Sequence, residues 1–584
     1  MANPLYSRLD TSRREVRLLV LEPGASEGNV KCKLITRSLD DNPTYEALSY
    51  TWGETQFNQS ILLNGHPTTI SGNLESFLWT ISHEREEKVI WVDQICINQS
   101  DIVERGQQVQ LMRDIYEKAE GLLIWLGLPD DDSDMALELI IALSKLEQNL
   151  LEVPTILAVA QTPEMLPYYQ ALQKFLGRSW FKRTWIVQEL ALSQHEIMVI
   201  CGERWLPWFT IARAAENLEH HRLMWFSGNT LFYTINIASV TSLQMLHRHP
   251  ENNRLHQPRP TLFDLCWMLR AFQATDPRDK IFGFMGLATD LKRSSSFFPD
   301  YTKAVVQTYL EFVRFLITEN KSLEFLRVAS RATDSDFPSW APDWRDSLSR
   351  SVTRPGYDSR VPKFSATGVS IPDARLSDDL KTLIVHGYAV QSIELLGDVL
   401  HHARSAPTLE KDTIVAVLRS WEDLATEVIL DPYPNGQSRL EAFWRTLLGN
   451  SDVDAQDIPT SNPSLDYALM LERYIDKAGD FVDMPNRDDL IGKYARPFTV
   501  PMIRATYEQR YFVTNRGYMG FCPIYSRVGD LICLLPGTSV PIILRKIQDH
   551  YVLVGECYCH GMMKGEIFNT LGEDNVEEQV FNVI

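Results

Sequence analysis

Residues 89–119 read VIWVDQICINQSDIVERGQQVQLMRDIYEKA, an apolar run that ends at Asp93 and is followed closely by Gln94, Asn98, Gln99, Asp101, Glu104 and Arg105. A packed core does not require that density of polar groups. If residues 88–93 form a strand of an open α/β sheet, Asp93 lies at its carboxyl end, where such sheets bind ligands. Residues 93–99 then form the loop above that end, and Glu104 falls in the first turn of the next helix. Two carboxylates and several amides would face one crevice, beside a helix N-terminus that favours anions. A structural reading stands next to this one. Asp101 with Glu104 three residues on has the form of a capping box, and Asp93 can be occupied with loop amides. The two readings are compatible, since a capping residue can border a site.

The elements that would position these groups follow from the hydrophobic pattern. The run YEALSYTWG (45–53) ends in Gly53 and reads as a strand. SILLNGHPTTI (60–70) reads as a hairpin about Asn64-Gly65. SGNLESFLWTI starts a helix with Asn73 as its expected cap and Leu74, Phe77, Leu78 and Ile81 on one face. KVIWVD and EGLLIWLG are continuous apolar runs, as strands covered on both faces should be. The helix between them carries an expected inner stripe of Ile102, Val109, Met112, Tyr116 and Ala119. This alternation predicts a parallel α/β sheet. The chain then turns mainly helical. It ends from about residue 495 in short strands separated by Gly-Pro turns, the pattern of a small barrel or meander.

Composition narrows the function classes. The 584 residues carry 57 Lys and Arg against 76 Asp and Glu, a formal net charge of −19. That balance argues against a broad nucleic-acid surface, which needs clustered basic residues. No run of 18 apolar residues occurs, so no membrane span is expected, and no signal-peptide core is seen near Met1. Eight cysteines without a C-x-x-C pair fit a reducing, cytoplasmic setting. Cys557 and Cys559, beside His560, lack the ligand count of a zinc site, and no metal site is predicted. No phosphate-loop, dinucleotide-fingerprint, zincin or nucleophile-elbow motif is present. RSWFKRTWIVQEL (178–190) reads first as a helix packing aromatic residues on the sheet. Its alternative use is for Arg178 or Arg183 to meet Glu104 or an acidic ligand group.

Three blocks, YEALSYTWG (45–53), residues 90–119 and RSWFKRTWIVQELAL (178–192), occur in the order seen in the fungal heterokaryon incompatibility (HET) domain family, which this chain resembles. TDPRDKIFGFMGLA (275–288), FPSWAPDW (337–344) and the strand-rich C-terminus resemble the usual continuation of such proteins. The resemblance implies a TIR-like, flavodoxin-like parallel sheet at the N-terminus, a helical middle region and a small β-rich C-terminal domain. The expected divisions are 1–210, 211–355, 356–490 and 491–584.

The resemblance also implies a role in cell death after fusion of unlike hyphae, and some TIR-like relatives cleave NAD at its nicotinamide bond. The family pattern covers Tyr50, Trp52, Gly53, Asp93, Cys96, Asn98, Gln99, Glu104 and Arg105. On an NAD-cleaving reading, Glu104 would stabilise an oxocarbenium-like transition state or orient the ribose, with Asp93 as second carboxylate. Tyr50 or Trp52 would stack on a ring, and Gly53, Asn98, Gln99 and Arg105 would border the ligand. No cofactor is implied; NAD would be the substrate. Two further readings remain open: a non-enzymatic module that binds itself or an incompatibility partner, and an enzyme acting on a small metabolite.

Overall fold

The structure is a computed structural model describing residues 5–24, 30–53, 59–83, 86–146, 162–220, 230–247, 260–292, 294–329, 337–345, 364–400, 411–452, 456–459, 496–506, 509–571 and 576–584. Its contacts divide into two units. The first comprises residues 1–294 with 298–303, and the second residues 295–297 with 304–584.

The first unit is built on a nine-stranded sheet: β1 Glu15–Leu21, β2 Lys31–Ser38, β3 Glu46–Tyr50, β4 Gln59–Leu63, β5 His66–Ile70, β6 Lys88–Trp91, β7 Gly121–Trp125, β8 Glu196–Cys201 and β9 Arg204–Pro207. The order across the sheet is β5-β4-β2-β1-β6-β3-β7-β8-β9. Neighbours within β6-β3-β7-β8 run parallel. The parallel sheet expected from the alternation is found at the centre, and both flanks add antiparallel pairs. β1 is antiparallel to both β2 and β6, and β8 pairs antiparallel with β9. All five residues of β7 are buried, as a central parallel strand requires. The hairpin β4–β5 turns on Asn64 and Gly65, both at positive φ (52° and 79°), the geometry that the Asn-Gly pair favours.

Helix α1 (Gly72–Ile81) buries Leu74, Phe77, Leu78 and Ile81. Its cap is Ser71, whose side chain accepts from the Leu74 amide, and not Asn73 as expected. Helix α2 (Ile102–Lys118) is capped by Asp101, which accepts from the Val103 and Glu104 amides. Its inner face includes Met112 and Tyr116, but the expected stripe fails at its start. Ile102 is 55% exposed, and Glu104 and Gln108 take the buried positions. The reason is a buried arginine on β1, described below, which draws a carboxylate inward. Helices α3 (Ser133–Ser144), α4 (Leu166–Leu176), α5 (Trp185–Leu192), α6 (Trp208–His220), α7 (Thr230–Leu246) and α8 (Leu262–Met268) complete the unit. After α8, the segment 270–303 returns to α5: the Thr184 amide donates to the Gln273 carbonyl at 2.8 Å.

The second unit opens with helix α9 (Val305–Thr318), whose apolar face includes Tyr309, Phe312, Val313 and Leu316. It continues through strands β10 (Ala374–Leu376) and β11 (Leu383–Val399) and helices α10 (Lys411–Val428) and α11 (Arg439–Leu447). The last strands are β12 (Gln509–Thr514), β13 (Met519–Pro523), β14 (Leu531–Leu534), β15 (Ile542–Ile547), β16 (His550–Glu556), β17 (Tyr558–Cys559) and β18 (Gln579–Val583). Long β11 pairs with β18 and also with β14, closing the path β14-β15-β16-β18-β11 on itself. Closure removes exposed sheet edges, and the result is barrel-like. Among the described residues, no helix is long and apolar enough to cross a membrane.

Candidate functional site

The carboxyl ends of β3, β6 and β7 gather the polar residues picked out by the sequence. After β6, Asp93–Cys96 forms one helical turn. Asp93 remains partly exposed. Its Oδ2 accepts from Trp52 Nε1 at 2.9 Å and its Oδ1 from the Gln94 amide at 2.7 Å. Burial of the carboxyl raises its pKa above the ordinary value. The Arg183 charge and the bonds from Trp52 and Gln94 oppose that shift. The Asp93 carbonyl accepts from Gln99 Nε2 at 2.8 Å, which closes the loop over its own start.

Asn73 braces the next pair of strand ends. Its Nδ2 donates to the Thr51 carbonyl at 2.6 Å, and its Oδ1 accepts from Trp125 Nε1 at 2.8 Å. The chain turns away at Gly53, whose φ of +76° suits glycine. The buried Tyr50 hydroxyl donates to Gln94 Oε1 at 3.3 Å, and Ser71 Oγ donates to the same oxygen at 3.2 Å. Gln94 is 8% exposed, and its Nε2 has no acceptor in the described structure. A buried amide donor left without a partner favours occupancy by an acceptor group.

Glu189, which sequence reasoning did not assign to the site, joins it together with Arg183. Glu189 on α5 is 3% exposed and accepts a short hydrogen bond from Ser49 Oγ of β3. Trp180 Nε1 in turn donates to Ser49 Oγ at 2.8 Å. Burial pushes the Glu189 carboxyl up to about 7, against the pull of Arg183 and Ser49. Arg183 donates to the Tyr50 carbonyl and lies within electrostatic reach of both acids. Two carboxyls with different environments and a guanidinium near both therefore stand at the ends of β3 and β6. The only sequence signal for this was Glu189 and Arg183 interleaved with aromatic residues; its partner Ser49 lies 140 positions away.

Glu104 is placed differently from Asp93. It is 9% exposed, and both its oxygens receive the Arg17 guanidinium of β1, at 2.6 and 3.0 Å. Oε1 also accepts from the Asn98 amide at 2.8 Å. Arg17, 1% exposed, additionally donates to the carbonyls of Ser7 (2.6 Å) and Cys96 (3.2 Å). The arginine partner of Glu104 is thus Arg17 and neither Arg178 nor Arg183. Arg178 instead holds the turn after β7, donating to the carbonyls of Leu126 and Leu128 and to Asp130. Asn98 accepts through Oδ1 from Ser100 Oγ at 2.7 Å, an Asx-type turn. Cys96 is buried, and its thiol is pushed up to about 12 by desolvation.

Among the described residues, no three His, Cys, Asp or Glu side chains converge as metal ligands. In the second unit, buried His560 is satisfied within the protein: Nε2 meets Gln437 Oε1 at 2.7 Å and Nδ1 meets the Tyr558 hydroxyl at 3.1 Å. Burial pushes its pKa down to about 3.

The residues at these strand ends and strands β12–β17 of the second unit fall within two segments that match known family models. Residues 45–189 match the family model described as heterokaryon incompatibility protein (HET), and residues 492–577 match the Het-6 beta-barrel domain. The chain is similar to heterokaryon incompatibility protein 6, OR allele, of Neurospora crassa, with 25% identity over 95% of this chain and 94% of that protein. No solved structure matches.

Proposed function

We propose that the protein acts in heterokaryon incompatibility as a cell-death effector, and that its N-terminal domain cleaves NAD or a related nucleotide at the strand-end site. The similarity to heterokaryon incompatibility protein 6 of Neurospora crassa supports the incompatibility role. The observation that carries the second is Asp93 at the end of β6, a residue partly exposed overall, its carboxyl bonded to the Trp52 ring nitrogen and near the Arg183 charge. The sheet supports it too. Numbered along the chain, β6-β3-β7-β8 stand in the order second, first, third, fourth, which is how the flavodoxin-like and TIR-like arrangement begins. In that arrangement ligands bind at the first and third strands, here β3 and β7.

On this reading, ionised Asp93 stabilises the positive charge that develops on the ribose as the glycosidic bond breaks. Nicotinamide leaves as a neutral molecule, and water supplies the group that replaces it. Glu104 acts indirectly: with Arg17 it fixes the 93–99 loop. Its closed pairing also favours a second reading, in which the domain works by assembly alone. Expression of wild-type and Asp93→Asn proteins in an incompatible fungal background separates the two. Loss of cell death in the variant, at equal protein level, supports cleavage; retained cell death supports assembly.

A further inference from the structure

Arg105 follows Glu104 in the first turns of α2, yet among the described residues its guanidinium has neither the carboxylate nor the carbonyl partners that other buried arginines possess. Arg17 has Glu104, Arg327 has Glu324 and Glu556, and Arg545 has Asp530. The Arg105 guanidinium instead lies over the Tyr301 ring, 5.0 Å from its centroid. Its Nε is buried without an acceptor, and it forms no ion pair among the described residues. Among the described residues, then, this half-buried arginine has no ion pair, and the charge of Asp276, already bonded to Arg278, lies within its electrostatic reach.

The surroundings hold it in that condition. Arg278 sits over the same ring, 5.2 Å from the centroid. Arg278 consumes the nearby acid: its Nε and Nη2 donate to the two oxygens of Asp276 at 2.9 and 2.6 Å. Its Nη1 donates to the Tyr301 and Lys303 carbonyls, each at 2.7 Å. Tyr301 is fixed from below, its hydroxyl donating to Asp279 Oδ1 at 2.6 Å. Asp279 Oδ2 accepts from Trp185 Nε1 at 3.0 Å. Trp185 is the first residue of α5, two positions after Arg183 of the strand-end site. A guanidinium stacked on an aromatic face keeps its N–H edge free, and that edge matches two oxygens of a phosphate.

We infer that Arg105, stacked on Tyr301 beside Arg278, is the receptor for a phosphate group of the ligand taken at the strand ends. The inference rests on the nucleotide reading given above and deepens it. It assigns the ligand class as a phosphorylated nucleoside, and Tyr301 as the platform.

Titration calorimetry of the full chain with pyrophosphate tests it. The wild type binds, Arg105→Gln weakens binding at least tenfold, and Arg105→Lys is intermediate because it keeps charge without the planar fork. Wild-type protein that takes no pyrophosphate, or Arg105→Gln protein that binds it equally well, overturns the inference. Unchanged near-ultraviolet circular dichroism checks that the variants are folded. A parallel assay compares NAD with nicotinamide riboside, which has no phosphate. Arg105→Gln raises KM for NAD alone if the inference holds. If wild type and variant cleave NAD with equal KM, the phosphate assignment fails and the nucleotide reading stands. If pyrophosphate binds through Arg105 but NAD is never cleaved, the anion site stands and the cleavage reading fails.

Discussion

Replacing Glu104 by Gln tests whether this carboxylate positions the loop or performs chemistry. The variant keeps size and the ability to accept from the Asn98 amide, but removes the charge opposite Arg17. In the wild type the pair is bidentate at 2.6 and 3.0 Å, with side chains 2% and 11% exposed. At an effective dielectric of about 20, a pair at 4 Å is worth about 4 kcal/mol. Breaking a buried pair by neutralising one member costs about 3–5 kcal/mol, because the remaining charge is stranded. With a urea dependence of about 3 kcal/mol per M, the unfolding transition of the first unit should fall by roughly 1–2 M. Tryptophan fluorescence during urea titration reads this directly, since Trp91, Trp125 and Trp180 are buried in this unit. A companion variant, Arg17→Met with Glu104→Leu, removes both charges and should recover part of the loss. A Glu104→Gln protein of unchanged stability that has lost cell-death activity would refute the positioning role and return Glu104 to the chemistry.

Other expectations follow from single contacts. Asn73→Ala removes the brace between Thr51 and Trp125 and should cost about 1–3 kcal/mol, read by the same titration, and should also loosen the strand-end site. Ser71→Ala deletes the α1 cap and a Gln94 partner, for a loss of about 1 kcal/mol, measured as a lowered Tm. Glu189 gives a pH signature. Its folded pKa is raised from 4.5 to about 7, so ionisation is costlier in the folded state than in the unfolded one. Stability contributed by this group should therefore rise as pH falls from 7 to 4.5. Asp279, raised to about 6 by burial, acts in the same direction. The stability difference between wild type and Glu189→Gln, followed against pH, should change over that window; a pH-independent difference would show that Glu189 is not desolvated as described.

Local features of the fold were legible because they depend on neighbours in sequence. The Asn64-Gly65 hairpin, the buried face of α1 and the apolar run of β7 each follow from spacing within a dozen residues. Pairing across the sheet was not. Nothing local in residues 15–21 tells that β1 runs antiparallel between β2 and β6. The site divides the same way. Asp93 at a strand end was readable from the pattern, and its partner Trp52 was flagged as a residue next to a glycine turn. The Arg17–Glu104 pair spans 87 positions and the Ser49–Glu189 bond 140, so no periodicity could join them. A signal for the first did exist: an arginine inside the apolar run EVRLLVL demands a buried acid somewhere. It explains why Ile102 gives up its inward place to Glu104.

The account turns on what Asp93 does. Full-length protein, held clustered on a surface or by a fused oligomerising tag, should be incubated with NAD and released nicotinamide quantified. Wild-type protein should release nicotinamide in proportion to enzyme and time, more slowly as the medium is acidified and Asp93 protonates, and Asp93→Asn protein should release essentially none. Equal release by wild type and Asp93→Asn, or no release by the clustered wild type, would contradict it.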